Sequence, residues 1–316
     1  MPLPRRRVWR GRVLRVALCV AGVLTVVLAG GLSWLRFDNP VPRFAARRGQ
    51  VARVERDSQT VEAGHRLERV TVRSTSGMTV QMLIKRPLVD TPAPLVVILG
   101  GHVTGRDAAR LIPDTQGRVV VALSYPYDGP HRMKGLEVLR WAPDIRQALL
   151  DTPPAIHLSL DWLLQQPWVN AGEVHGIGAS LGTPSMVVAA ALDQRITHLW
   201  SVHGAGRSRA LLAHNAKASM PTALAPAAGF LADLIVAGPW LTPEKWVAQV
   251  APRPFIMLNA LDDEKLPRAD IEALYTAAGQ PKSITWFPGG HVLRSRPEVV
   301  RGLVTTVLDR MRTGTL

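Results

Sequence analysis

Residues 175–182 read HGIGASLG, in which Ser180 has a glycine two positions before it and another two positions after it. The segment Glu173–Ile177 in front of the serine is predicted to be a strand, and Leu181–Leu192 behind it, rich in small residues, a helix. A serine on so tight a strand-to-helix turn projects its hydroxyl outward, and side chains at Gly178 or Gly182 would collide with the neighbouring strand or helix. The alternative interpretation is an ordinary tight turn whose serine caps the helix.

Short apolar segments recur along the chain on both sides of this turn and alternate with helical patterns. That alternation is typical of an α/β fold with a mostly parallel central sheet flanked by helices. The first two strands are predicted to form a hairpin, and six further strands follow. The predicted strands are Leu67–Arg73, Thr79–Lys85, Leu95–Leu99, Arg118–Leu123, Glu173–Ile177, His198–Val202, Pro254–Leu258 and Ser283–Phe287, and the predicted helices are Pro154–Gln166, Leu181–Leu192, Arg268–Ala278 and Pro297–Met311.

A longer piece, about residues 207–250, separates two of these strands. It is alanine-rich and interrupted by prolines, which favours a small helical cap; a surface insertion without a role in the site is the alternative. The main domain is predicted to span residues 65–316. Residues 36–64 are predicted to be a linker that leads into a first strand.

The serine motif and its context resemble the α/β-hydrolase superfamily, and the resemblance covers about residues 66–312. Within the superfamily, the stretch Trp246–Phe255 (WVAQVAPRPF) is similar to that of dienelactone hydrolases and acetyl esterases. The resemblance implies a serine hydrolase that cleaves a small carboxylic ester or a thioester through an acyl-enzyme on Ser180. The alternatives are a peptidase or acyltransferase with the same triad, and a non-catalytic, membrane-anchored binding module.

A serine hydroxyl needs a base to accept its proton and an acid to orient that base. The superfamily places both later in the chain, acid first, and the resemblance implies the order Ser180, Asp263, His291. The family pattern of an aspartate, a short spacer, an aliphatic residue and a proline matches residues 263–267. Asp263 is therefore the predicted acid, with Asp262 as the alternative.

The oxyanion of a tetrahedral intermediate needs backbone N–H donors. The resemblance implies one donor at Leu181, directly after the serine, and a second in the loop that follows the strand Leu95–Leu99. We expect the second donor to be the N–H of His102, with Gly101 as the alternative. The usual His-Gly start of this loop is replaced by Leu99-Gly100-Gly101, so the position of the second donor stays open.

Residues 16–35 form an uncharged stretch of twenty residues, long enough to cross a bilayer as a helix. The preceding residues 1–15 are rich in arginine, and Trp9 and Trp34 lie near the two ends. The positive-inside bias predicts a signal anchor with a cytoplasmic N-terminus and a catalytic domain that is periplasmic or extracellular. A signal peptide cleaved near residues 27–29 is the alternative.

The net charge of +14 does not predict a nucleic-acid-binding surface. Residues 1–50 contain ten arginines against one acid, Asp38, a net charge of +9 that leaves +5 for the rest of the chain. The single cysteine, Cys19, excludes an intrachain disulfide. Histidines with metal-site spacing and a lysine-bearing phosphate loop are both absent from the sequence, so neither a metal nor a cofactor is predicted.

Two polar residues near the predicted site are given no role in it. His203 ends a predicted strand and is expected to be a buried core histidine, although a place in the pocket is the alternative. Glu264 is expected to be a solvated charge at the start of a helix.

Overall fold

The structure is a computed structural model that describes residues 38–101, 103–131, 133, 137–293 and 295–314, together with the isolated residues 19, 22, 23, 26 and 30. The chain divides into two units, Met1–Pro40 and Val41–Leu316, and the second unit holds every element described below. The basic segment 1–15 and most of the predicted anchor 16–35 lie outside the described residues, so both stay predictions.

Within the described part of the chain, no single helix combines the length and the apolar character needed to cross a bilayer. Thr222–Ile235 and Gly238–Lys245 meet both requirements only as a pair, with a bend of 72° between them.

Nine strands of the second unit form one sheet in the order β1-β2-β3-β5-β4-β6-β7-β8-β9. The pairs β1–β2, β2–β3 and β3–β5 are antiparallel, and the five remaining pairs are parallel. The predicted α/β architecture with a mostly parallel sheet is therefore confirmed. The strands are β1 Val51–Glu62, β2 His65–Ser74, β3 Thr79–Pro87, β4 Ala93–Leu99, β5 Val119–Leu123, β6 Val169–Ala179, β7 His198–Val202, β8 Phe255–Ala260 and β9 Lys282–Phe287.

Helices flank this sheet, and a short 3-10 segment, Gly105–Leu111, lies in the connection between β4 and β5. The piece predicted as a cap is helical, with α4, α5 and α6 followed by two short 3-10 turns. The helices are α1 Val41–Arg48, α2 Glu137–Leu163, α3 Gly182–Leu192, α4 Ser208–Ala216, α5 Ala225–Ile235, α6 Gly238–Leu241, α7 Arg268–Ala277 and α8 Pro297–Thr313.

Strand β4 shows how the core is divided between the two faces of the sheet, because successive side chains of a strand point to opposite faces. Val97 is fully buried and lies beside Gly176, which contacts Met186 of α3. Ile98 belongs instead to a cluster that includes Leu303 of α8 and the 3-10 segment. Helix α3 therefore covers one face of β4, and α8 with the 3-10 segment covers the other.

The carboxyl ends of the parallel strands lie at one edge of the sheet, where ligands bind in folds of this type. Gly100 follows β4, Ser180 follows β6 and His203 follows β7. Asp263 comes three residues after β8, and His291 four residues after β9. The topology therefore brings residues from five separate segments to one edge.

The structure differs from the sequence prediction at the start of the domain. Residues 36–64 are not a linker leading into a strand near residue 65: most of them form α1 and the twelve-residue β1, and the folded unit begins at Val41. Arg47 donates a bidentate hydrogen bond to Asp151, and Arg48 does so to Asp161. These partners lie more than 100 residues away, so local sequence gave no sign that α1 packs on α2.

Helix α2 is also longer than the predicted Pro154–Gln166. It begins at Glu137 and continues through Pro143, Pro153 and Pro154. Each proline removes a backbone donor and disfavours a helix interior, so local propensity argues against a helix through these positions. Pro153 and Pro154 are buried, and tertiary packing of this kind overrides local propensity.

Candidate active site

Ser180 lies on a strained turn between β6 and α3. Its φ of 52° is in the left-handed region, which is uncommon for a residue with a side chain. Its backbone N–H donates to the carbonyl of Val202 on β7, at 2.9 Å, and this bond holds the turn against the sheet. Strain of this kind clusters at functional sites.

The glycines on either side of Ser180 lie where a side chain would collide, as the sequence predicted. A Cβ at Gly182 would lie 1.9 Å from the carbonyl oxygen of Leu99 on β4. A Cβ at Gly178 would lie 2.7 Å from Cα of Thr183 on α3. Both obstacles are backbone atoms, so a side chain at either position would have to displace the strand or the helix.

The three residues predicted as a triad are joined through His291, which contacts Ser180 on one side and Asp263 on the other. Ser180 Oγ lies 2.7 Å from His291 Nε2. On the other side of the same ring, His291 Nδ1 lies 2.8 Å and 3.0 Å from the two carboxylate oxygens of Asp263. The side chains of His291 and Asp263 are 5% and 1% exposed, so this contact is shielded from water.

The carboxylate at this position is that of Asp263, while the neighbouring Asp262 is exposed. Backbone N–H groups of Lys265 and Leu266 each donate to Asp263 Oδ1 at 2.9 Å. Burial acts to raise the pKa of Asp263, but hydrogen bonds from His203 and His291 outweigh it and hold this pKa far below its usual range. Asp263 is therefore ionised at any working pH and can only accept hydrogen bonds.

His203 is a second histidine on the same carboxylate, a role that the sequence analysis did not assign. Its Nδ1 lies 2.9 Å from Asp263 Oδ2, and its ring packs edge-on against that of His291 at 5.2 Å between centroids. The Val292 N–H lies 3.3 Å from the same nitrogen, but the charged carboxylate is the closer and stronger partner. We therefore place a proton on Nδ1 of His203.

An ionised Asp263 also determines the tautomer of His291. Because the carboxylate accepts only, Nδ1 of His291 carries a proton, and a neutral ring then presents its Nε2 lone pair to Ser180 Oγ. That is the protonation state in which an imidazole can remove the hydroxyl proton.

Glu264 fixes the backbone at His291, contrary to its expected role as a merely solvated charge. Its carboxylate accepts the N–H of His291 at 2.9 Å and pairs with the guanidinium of Arg296 at 3.1 Å. The hydrogen bond from His291 and the neighbouring Arg296 lower the pKa of Glu264 to about 2. Glu264 is partly exposed yet ties the loop after β8 to the loop after β9.

Two of the predicted oxyanion donors, Leu181 and Gly101, lie in the described part of the chain. Leu181 immediately precedes α3, where backbone N–H groups have no intrahelical acceptor. Gly101 is held by a turn in which its carbonyl accepts from Thr104 and Gly105, at 2.9 Å and 3.0 Å. His102, the preferred second donor, lies outside the described residues, so that assignment stays a prediction.

Tyr125, which the sequence analysis did not single out, supports the loop that holds Gly101. Its hydroxyl donates to the carbonyl of Gly100 at 2.9 Å. The side chain is buried, and burial raises the pKa of Tyr125 far above its usual range, so the phenol remains a donor. The bond fixes the direction of the peptide that precedes Gly101.

Two cavities meet at Ser180 and His291. The first, which we call the core-side cavity, has a volume of about 520 Å³ and lies between the sheet and α8. The second, the cap cavity, has a volume of about 350 Å³ and is lined by residues of α4, α6 and the loop after β8. Residues of the core-side cavity include Ile98, Ile177, Val202, Leu303, Val304 and Val307; those of the cap cavity include Leu181, His203, Leu211, Asn215, Leu241 and Lys265.

Comparison with solved structures identifies the architecture on which this site is built. The acetyl xylan esterase of a Paenibacillus species is similar over 87% of this chain and 99% of its own, with a TM-score of 0.62 and 16% identity. The acetyl xylan esterase 1 of a Thermoanaerobacterium species is similar over 84% and 93%, with a TM-score of 0.59 and 14% identity. A hyperthermophilic esterase of the archaeon Pyrobaculum calidifontis is similar over 87% and 90%, with a TM-score of 0.56 and 17% identity.

The chain has the α/β-hydrolase fold. At these identities the comparison establishes the fold alone, since one fold hosts many activities. No family profile matches the chain, and no curated protein sequence matches it either.

A metal ion would be held by histidine and carboxylate side chains that lie close together. Over the described residues, one group could hold an ion: His203, Asp263 and His291, whose ligand atoms lie within 4.8 Å of one another. Asp263 already accepts a hydrogen bond from each histidine. An ion between them would have to displace those protons, so the arrangement suits an imidazole–carboxylate pair better than a metal centre.

Two of the residues to which the sequence analysis assigned no role, Tyr125 and His203, share one signal. Tyr125 follows β5 and His203 follows β7, so each lies at the carboxyl end of a strand, as Ser180 does. Once a parallel sheet is predicted, polar side chains just after its strands are expected to meet at one edge. Glu264 gave no such signal beyond its position next to Asp263.

Proposed function

We propose that the protein is a serine hydrolase that cleaves carboxylic esters through an acyl-enzyme on Ser180. The observation that carries the proposal is the 2.7 Å contact between Ser180 Oγ and His291 Nε2, with Asp263 behind the ring at 2.8 Å. A nucleophile, a base and an orienting acid in hydrogen-bond contact beside a cavity are what acyl transfer requires.

In the first half of the reaction, Ser180 Oγ bonds to the ester carbonyl carbon while its proton passes to His291 Nε2. Asp263 stabilises the imidazolium that forms and does not itself take the proton. The negative charge on the carbonyl oxygen is held by backbone N–H groups, for which we propose Leu181 and a donor from the loop at Gly101 and His102. Each such donor stabilises the transition state by about 3–4 kcal/mol.

The second half restores the enzyme. The bond between carbonyl carbon and alkoxide breaks, and His291 gives its proton to the departing alcohol. A water molecule then attacks the acyl-enzyme, and His291 takes a proton from that water. Collapse of the second intermediate releases the carboxylic acid and returns the proton to Ser180.

The similar structures support an ester more than an amide as substrate, since two are named as acetyl xylan esterases and one as an esterase. A thioester, a peptide or an acyl acceptor other than water would use the same three residues. The non-catalytic alternative is disfavoured because the contacts from Ser180 to His291 and from His291 to the buried carboxylate of Asp263 are intact.

Labelling with a fluorophosphonate tests the proposal, because this reagent modifies an activated serine. We expect one label per chain, mapped to Ser180, which is abolished in Ser180→Ala and strongly reduced in His291→Ala. Ser185, a buried serine on α3, supplies the matched control: Ser185→Ala is expected to label like the wild type. A folded wild-type protein that takes up no label would exclude an activated serine and favour the binding module.

We also propose that residues 16–35 anchor the hydrolase to a membrane, with the catalytic domain on the non-cytoplasmic side. The support is the twenty-residue uncharged stretch preceded by arginines. Fractionation of the full chain with carbonate washing, compared with a chain that starts at residue 36, tests it. Release of the full chain by carbonate would contradict an anchor.

A further inference from the structure

The core-side cavity is more apolar than ester hydrolysis at Ser180 requires. Its side-chain lining is formed mainly by valine, leucine, isoleucine and alanine, and the described residues that line it include no aspartate, glutamate, lysine or arginine. Apart from Ser180 and His291, the polar side chains among its described lining residues are those of Thr104 and Ser295. The described part of the wall therefore offers a ligand contacts with hydrocarbon and few hydrogen-bond partners.

The cavity exists because this face of the sheet is incompletely covered. The connection between β4 and β5 contributes only the seven-residue 3-10 segment here, whereas α3 covers the opposite face of β4. The accessible surface shows the difference: Ile98, on the cavity face, is 8% exposed, while its neighbours Val97 and Leu99 are 0% exposed. The gap lies inside the domain, between the strands and α8, and not beneath the cap.

Ser180 connects this cavity to the reacting centre. The wall of the cavity includes Ser180, His291, Gly100 and Gly101, so the carbonyl of a bound ester would lie at its mouth. A chain attached to that carbonyl carbon can run past Ile98 and Ile177 towards α8. The cap cavity on the other side of Ser180 is also mainly apolar, but it is smaller and its lining includes Asn215 and Lys265, so we place the alcohol portion there.

We propose that the core-side cavity takes the acyl chain, so that the natural substrates are esters of medium-chain or long-chain fatty acids. This inference rests on the proposed ester hydrolysis and names its substrate class. A volume of about 520 Å³ is within the range of pockets that enclose whole small molecules, roughly 300–1,000 Å³. An acetyl group would leave most of it empty, and an empty apolar cavity contributes nothing to transition-state binding.

The proposal predicts a dependence on chain length. Each methylene that enters an apolar site from water raises kcat/KM by about fourfold until the cavity is full. From p-nitrophenyl acetate to the octanoate, we therefore expect kcat/KM to rise by at least a hundredfold. If the reacting centre alone determined the substrate preference, kcat/KM would instead fall as the acyl chain becomes longer.

Variants of α8 test where the chain binds. Val304 and Val307 line the cavity, and Val304→Phe combined with Val307→Phe fills it. We expect the octanoate-to-acetate ratio of kcat/KM to fall at least tenfold in this variant; the ratio cancels effects common to both esters. Thr305→Phe, on the exposed side of the same helix, is the matched control and leaves the ratio unchanged. An unchanged ratio in the filled variant, or a wild type that prefers acetate, would overturn the proposal.

Binding measured without turnover separates failure of this inference from failure of the proposed function. Calorimetry on Ser180→Ala is expected to show dodecanoate binding that Val304→Phe with Val307→Phe abolishes. If Ser180→Ala binds dodecanoate and the two phenylalanine substitutions abolish that binding, the acyl-chain site is supported, even where p-nitrophenyl esters are hydrolysed slowly. If the protein is labelled by a fluorophosphonate and hydrolyses the acetate ester but does not bind dodecanoate, the proposed esterase activity stands and the acyl-chain site is overturned.

Discussion

His203 and His291 hold the carboxylate of Asp263 from two sides, with Nδ1 of each ring 2.9 Å and 2.8 Å from the same oxygen, Oδ2. A triad needs only one of these histidines. The second ring is buried and supplies a donor that keeps the carboxylate ionised and oriented. We therefore propose that His203 is a positioning residue, which acts on the proposed base His291 through Asp263.

Replacing His203 tests this role. Loss of a hydrogen bond to a charged group costs about 1.5–3 kcal/mol, so His203→Ala is expected to lower kcat roughly tenfold to a hundredfold. His203→Asn retains a donor and tolerates the backbone φ of 50°, and is expected to restore most of the activity. Steady-state kinetics on a p-nitrophenyl ester gives both values.

The pH dependence of stability distinguishes this electrostatic role from packing. Because the folded-state pKa of Asp263 is lowered, its stabilisation is complete above the unfolded-state pKa of about 3.9 and is lost as pH falls through the folded value. His203→Ala raises the folded pKa and removes part of that stabilisation. Urea unfolding is expected to show a stability gap between wild type and variant that is constant near neutral pH and narrows once the pH falls below the raised folded pKa of the variant; a gap that is the same at every pH would indicate lost packing only.

Asp263 and Asp262 form a matched pair of adjacent acids. Asp263→Asn leaves a group of the same shape that no longer stabilises the imidazolium, and kcat is expected to fall by about 10⁴-fold. Asp262 is exposed, and Asp262→Asn is expected to change kcat less than twofold. A comparable loss in both variants, measured under saturating ester, would contradict the assignment of the acid.

The choice of Asp263 over Asp262 shows how much of the candidate site can be predicted from the sequence. A family pattern favoured residue 263, and the apolar segments predicted a mostly parallel sheet in which Ser180 and His291 each follow a strand. His203 was seen as a strand-terminal histidine, but its partner is 60 residues away, and nothing local indicated a contact with Asp263. Sequence patterns predict which side chains reach an edge, whereas the pairs formed there depend on loop conformations.

The start of the domain and the cavities also depend on long-range contacts, which local sequence patterns do not predict. Helix α1 is held by ion pairs with α2 that span more than 100 residues, and composition alone made its arginines look like a basic linker. The core-side cavity arises from incomplete cover over Ile98, and most of the described residues that line it are ordinary core residues by type. A void is a property of packing and has no sequence motif.

Glu264 is expected to matter for activity through the backbone of His291. Glu264→Ala removes the acceptor of the His291 N–H and the partner of Arg296. A small displacement of a catalytic group costs up to about a hundredfold in rate, so kcat is expected to fall about tenfold or more with KM little changed. Glu272→Ala breaks an exposed pair with Arg268 and is the control. Equal kinetics for the two variants would show that Glu264 is merely a surface charge.

The protonation of Glu264 adds a pH dependence. Its folded pKa is lowered to about 2, so its contribution to stability is present above the unfolded value of about 4.3 and is lost as pH falls towards 2. The stability difference between wild type and Glu264→Ala is therefore expected to narrow below pH 4. Thermal unfolding at pH 3 and pH 6 measures that difference.

Tyr125 supports the loop that is proposed to bind the oxyanion. Tyr125→Phe leaves the ring in place but removes the donor to the Gly100 carbonyl, which costs about 1 kcal/mol of stability. We expect kcat to fall several-fold and KM to change little, because the loop acts in the transition state. Tyr127→Phe, whose hydroxyl contacts the carbonyl of Pro130, is the control. Loss of stability with unchanged kcat would separate Tyr125 from the oxyanion loop.

Gly182 couples the fold to the site, because the backbone of β4 leaves no room for a side chain there. Gly182→Ala would place Cβ 1.9 Å from the Leu99 carbonyl, so either α3 or β4 must move. Overpacking of this kind costs about 1–3 kcal/mol or more, and the movement displaces the Leu181 N–H from its place beside Ser180. We expect a lower urea midpoint together with loss of fluorophosphonate labelling. Gly302→Ala on α8 is the matched control: nothing lies within 4 Å of its Cβ, and removing a helix glycine is expected to stabilise by about 1 kcal/mol.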